Sequence, residues 1–191
     1  MAKLERMLSL VRRHRPDLEI VDKRTVPWVR GLGLVLRPVI PDFMTAFTMV
    51  IGDRVYLAGS PDRFPRDQLA RILAHELVHQ LDQAKHGAAF YLSYALLPLP
   101  LLRTRRAHWE RRAYAVDLML DHHDGGEEAL LRTLQRCTAL FAGPAYGWMW
   151  AGEHAASTFL EDVAAEVRSG ALAQRDPYRE ILEAWRGPEA S

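Results

Sequence analysis

The densest chemistry in the chain lies in five consecutive residues, His75-Glu76-Leu77-Val78-His79. On a helix, positions i and i+4 leave the same face one turn apart. Two imidazole nitrogens placed that way can each reach one zinc ion at about 2.0–2.1 Å. Glu76 is displaced by roughly 100° around the axis, so its carboxylate does not readily join the metal but can reach a water beside it. This is the two-histidine zinc pattern with glutamate as base. The spacing gives His75 and His79 as metal ligands, Glu76 as catalytic base and Zn2+ as cofactor. The competing reading is a chance match on an amphipathic helix. Glutamate at the middle position, a hairpin before the helix and a glycine stop after it weigh against that.

Catalytic zinc normally takes three protein ligands and keeps one position open. A third histidine six residues beyond His79 is excluded, because that position is Lys85 and the glycine the extended pattern needs is Asp82. Glu110 on the next long helical stretch is the best third ligand. Tyr114, Asp117 and Asp121 follow it at i+4, i+7 and i+11 and share its face. A stripe of carboxylates with a tyrosine fits a face turned toward a cation and its histidines. Asp117 or Tyr114 is then placed to orient a histidine through its other ring nitrogen. Asp117, Asp121, His108 and His122 stay open as alternative ligands. The structural alternative is a solvated face paired with Arg106, Arg111 and Arg112.

These residues need elements to carry them. Apolar residues at Leu4, Met7, Leu8 and Val11 predict an N-terminal helix that Pro16 ends. Residues 18–21 read as a short strand, and 29–40 as one long or two short strands. Residues 45–51 and 54–58 flank Gly52-Asp53 and predict a hairpin. The motif helix runs over 66–85, with Gly87 just beyond its end. Further helices are expected over 104–123, 127–141, 153–168 and 178–185, the first two separated by Gly125-Gly126. Strands first and helices after indicate an α+β fold. We expect one domain over 1–191: a small antiparallel or mixed sheet in the N-terminal third, with 1–60 mainly strands after a first helix, followed by a helical bundle over 61–191 that carries the zinc site.

The 191 residues are 49% apolar and 26% charged, with a formal net charge of +1. Such a balance gives no global field for nucleic acid or acidic lipid. The single cysteine, Cys137, rules out an internal disulfide and the cysteine-rich zinc patterns. The N-terminal stretch lacks the apolar core of a secretory signal, and a cytoplasmic protein is expected. Residues 88–102 are almost wholly apolar but contain Pro98 and Pro100 and are too short for a good membrane span. A buried connection is the first reading for them, with a lid or a membrane-surface or protein contact as alternatives.

His75-Glu76-x-x-His79 followed by Glu110 on a later helix resembles the gluzincin branch of zinc metallopeptidases, over roughly residues 43–124. Many gluzincins carry aspartate four residues after the third ligand, where this chain has Tyr114. The resemblance implies a zincin-like fold and a peptidase with His75, His79 and Glu110 as ligands. Glu76 would take a proton from the activated water and pass it to the leaving amine. Tyr146, Tyr114 and His154 are candidates for stabilising the oxyanion. By analogy to that fold, a peptide substrate would lie along the strand at 45–51, and Trp148, Met149 and Trp150 would wall a pocket or simply pack in the core. Two other classes remain. One is a zinc hydrolase acting on a small amide, in the manner of peptide deformylase, although Cys137 lies downstream of the motif rather than upstream. The other is a non-catalytic module braced by zinc, for which His108, His122 or His123 would supply a fourth ligand. The cluster Asp121-His122-His123-Asp124 reads as a second metal site or, more simply, as a solvated helix end.

Overall fold

The protein is described by a computed structural model that covers residues 2–38, 40–95, 103–143 and 152–187. It is mostly helical, with a small three-stranded mixed sheet, an α+β arrangement. The first helix, α1 (Lys3–His14), buries Leu4, Met7, Leu10 and Val11 on one face. Strand β1 (Glu19–Asp22) follows, and the hairpin β2 (Met49–Ile51) and β3 (Arg54–Leu57) turns at Gly52, whose φ of 57° suits glycine. The sheet order is β1-β3-β2, with β1 parallel and β2 antiparallel to β3.

The parallel pairing needs a crossover, and helix α2 (Pro27–Leu36) provides it. This corrects the strand reading of residues 29–40. The β-branched and glycine content suggested strands, but Val29, Leu32, Gly33 and Leu36 follow the i, i+3, i+4, i+7 spacing of a helix. Pro27 sits in the first turn, where its missing N–H costs nothing. Val29 is fully buried with Phe43 and Tyr56 in a small core on one face of the sheet, against which Leu32 and Leu36 pack. A side chain at Gly33 would meet the Met44 sulfur at 2.5 Å. The expected strand at 45–51 is also shorter, because Thr45 and Ala46 belong to a turn closed on the Asp42 carbonyl.

The other face of the sheet, through Val55 and Leu57, joins the main core. Its centre is α3 (Arg66–His86), which packs against α1 and the long α5 (Arg103–Ala142). Gly87, with φ 52°, separates α3 from α4 (Ala88–Ala95), which folds back against both α3 and α5. The two expected helices over 104–123 and 127–141 are the two arms of α5, which break at Gly126, where the backbone leaves helical geometry. Helices α6 (Glu153–Arg168) and α7 (Tyr178–Arg186) pack on α5, and α7 also closes on α1. Among the described residues, no helix is long and apolar enough to cross a membrane.

Two glycines should respond in opposite directions. Gly126 adopts φ 65° and ψ −156°, a region only glycine occupies without strain, so Gly126→Ala should cost on the order of 1–3 kcal/mol. Gly31 lies inside α2 with open space around it, so Gly31→Ala should gain about 0.5–1 kcal/mol. Urea unfolding of both variants tests the pair.

Candidate metal centre

Helix α3 places His75 and His79 one turn apart, with ring centroids 5.3 Å from each other. Helix α5 crosses beside them and delivers Glu110. Donor atoms of His75, His79 and Glu110 lie within 4.8 Å of one another, and His79 Nε2 is 3.7 Å from Glu110 Oε2. Ligands at about 2.05 Å on the corners of a tetrahedron sit roughly 3.3 Å apart. The donor atoms therefore need only small rotations to close on one ion.

The orientation of His75 is fixed by α5. Its Nδ1 lies 3.0 Å from Asp117 Oδ2, which leaves Nε2 as the nitrogen available to a ligand. Tyr114 packs edge-on against the same ring at 4.9 Å and is itself buried against Phe141. Asp117 is thus the acid that holds the histidine, and Tyr114 supplies packing.

The electrostatics favour a cation. His79 and Glu110 are 6% and 2% exposed at their side chains, and Glu76 is buried between the same helices. Burial lowers the pKa of His75, but Asp117, Glu76 and Glu110 outweigh it and raise the value to about 9. Burial works against the charge on Glu110 as well, yet His79, Arg106 and His75 pull its pKa down to about 2. Burial pushes Glu76 up from the ordinary carboxylate value. Among the described residues, buried His79 Nδ1 has no hydrogen-bond partner; Nε2 is the nitrogen that faces Glu110, so no side chain holds this ring as Asp117 holds His75. Two imidazoles and a carboxylate are also the donor set that zinc accepts. The residues present fit such an ion.

Helix α4 adds a residue the sequence reading passed over. Tyr94 donates its hydroxyl hydrogen bond to Glu110 Oε1. Its ring stacks on Phe90 at 5.4 Å and meets His79 edge-on at 5.9 Å. The signal was present in the Phe90/Tyr94 pair at i and i+4 just past Gly87, but it was hidden in an apolar run read as a connection.

Other expected residues fall elsewhere. His154 is exposed on the first turn of α6 and is not part of the cluster. Tyr146, Trp148, Met149 and Trp150 lie outside the described residues, as do residues 96–102 of the apolar run. His108 packs against Phe159. Asp121 pairs with Arg71 and Thr133, and Asp124 with Arg71, Lys3 and Trp185, so these acids serve packing of the helix. The sheet edge expected to receive a peptide is occupied in part. Gln83 donates to Val50 O and accepts from Gly52 N, and Gln80 donates to Gly52 O.

No protein-family model, curated protein or solved structure matches the chain.

A divalent ion should bind one per chain and stabilise the fold by about 2.7 kcal/mol at a hundred times its dissociation constant. His79→Ala should abolish that thermal shift. Binding must displace the proton that His75 carries below a pKa of about 9, so affinity should rise with pH up to that value. A calorimetric titration with zinc at several pH values checks both expectations.

Proposed function

We propose that the protein is a zinc-dependent metallopeptidase of gluzincin type with a zincin-like active site. The observation that carries this reading is the convergence of His75, His79 and Glu110 within 4.8 Å, with Glu76 buried on the same helix. Three protein donors leave one position of a tetrahedral ion for water or substrate.

A bound zinc supplies Lewis-acid activation of water and polarises a carbonyl. The remaining work falls to the chain. Asp117 holds the His75 ring in one orientation and tautomer. Burial raises the pKa of Glu76 toward the working range of a general base. Its carboxylate takes the proton from the attacking water and returns it to the leaving amine. The dry surroundings strengthen each of these interactions.

The depth of burial supports a second reading, in which a metal only braces α3 against α5. Closed structural sites normally use four protein ligands, and the cluster among the described residues has three. A buried acid at Glu76 has no purpose in a brace. For hydrolysis of a small amide, the Cys137 thiol is a poor ligand, because burial pushes its pKa up and it lies on the stretch of α5 beyond the Gly126 bend.

Wild type and Glu76→Gln should each carry about one zinc per chain by elemental analysis. Only wild type should cleave unfolded casein or a mixed peptide library, with the variant's kcat/KM at least ~100-fold lower. Equal cleavage by both proteins would falsify the role of Glu76. Metal without cleavage in either protein would favour the brace.

A further inference from the structure

We infer that Tyr94 is a positioning residue that keeps Glu110 a one-oxygen ligand and so holds the fourth coordination position open. The inference rests on the metal-site reading above and specifies how that site retains room for water.

The two oxygens of Glu110 face different partners. Oε2 points toward His79, with Nε2 at 3.7 Å. Oε1 accepts the Tyr94 hydroxyl hydrogen bond and lies 4.0 Å from Arg106 Nε. Arg106 also stands over the Tyr94 ring at 5.0 Å, so the phenol and the guanidinium form one unit on the far side of the carboxylate. Phe90 braces the phenol by stacking, and His79 contacts it edge-on.

A carboxylate with one oxygen so engaged gives a metal only the other. Two imidazoles and one oxygen make three ligands, and a tetrahedral ion then keeps one free corner. Without the hydroxyl, Oε1 can turn toward the ion and chelate it. The protein then supplies four donor atoms, and with the water the ion becomes five-coordinate, so the water no longer holds an open tetrahedral corner. Helix α4 therefore contributes to the chemistry through a residue that touches neither water nor the ion.

Tyr94→Phe removes only the hydroxyl and retains the ring stack, and a circular-dichroism melt checks that the fold is kept. The probe is Co2+ loaded in place of zinc, whose visible bands are intense in four-coordinate tetrahedral sites and weaken as coordination increases. The variant should lose about half or more of the absorbance per bound cobalt. An unchanged spectrum overturns the inference, whatever the affinity does. The wild-type protein gives an independent check. The infrared difference between zinc-loaded and zinc-free protein should show the wide carboxylate splitting of one-oxygen ligation, and the narrow splitting of a chelate overturns the inference. Wild type that takes up neither cobalt nor zinc defeats the metal-site reading itself. Loading of both proteins with identical spectra defeats only the role of Tyr94.

Discussion

The structure depends on a ladder of polar pairs between α3 and α5, two helices that otherwise meet through apolar side chains. Along α3, Arg71, His75, His79 and Asp82 face Asp121, Asp117, Glu110 and Arg112 on α5. The α3 positions climb by roughly one turn at a time while most of their partners descend along α5, as antiparallel helices require. A slip of either helix by one turn would part these pairs together, among them the buried His79–Glu110 contact and the buried Asp82. Removing one partner of the buried His79–Glu110 contact leaves a buried polar group unpaired, so these pairs act with the leucines and alanines around them to set the register of the two helices. The candidate metal centre forms its two middle rungs. The precision of the site and the register of the fold are the same constraint.

The small sheet serves that ladder indirectly. Gln80 and Gln83 lie on α3 near the histidines, and their amides take up backbone groups of the β2 hairpin at Val50 and Gly52. Tyr91 of α4 donates to the same Gln83 oxygen. The hairpin, the motif helix and the helix carrying Tyr94 are thus tied through two glutamines. These contacts also cover part of the sheet edge that a peptide would need for strand addition. A substrate could pair with that edge only beyond Val50, toward Met49 and Thr48.

Much of this was legible in the sequence where a single periodicity acted alone. The i, i+4 spacing of His75 and His79 survives any error in helix ends, and the i+7 spacing puts Glu110 and Asp117 on one face of α5. Glu110 was legible because a carboxylate stripe is costly unless it faces a cation or cationic partners. Residues 29–40 were misread because valine and glycine suggest strands while the burial of Val29, Leu32, Gly33 and Leu36 follows a helical period, and tertiary packing overrides propensity. Tyr94 was missed because its function depends on where Gly87 sends the chain, and a turn direction leaves little trace in composition. The break at Gly125-Gly126 was legible because glycine pairs leave helical geometry easily, and Gly126 does so.

The charge balance of the seam is one that a single divalent ion would complete. When ionised, Asp117, Glu110 and Glu76 each bring one negative charge. Without a cation, the site compensates by keeping a proton on His75, whose pKa rises to about 9, and by raising that of Glu76. Arg106, 4.0 Å from Glu110, supplies one positive charge. A dication that displaces the His75 proton brings the group close to neutrality when all three carboxylates are ionised. A monovalent ion would leave a net negative charge in a dry interface, and a second dication would leave an excess of positive charge; either imbalance is expensive away from water. The same arithmetic couples base to metal. A cation at the centre would oppose the burial that pushes the Glu76 carboxyl up.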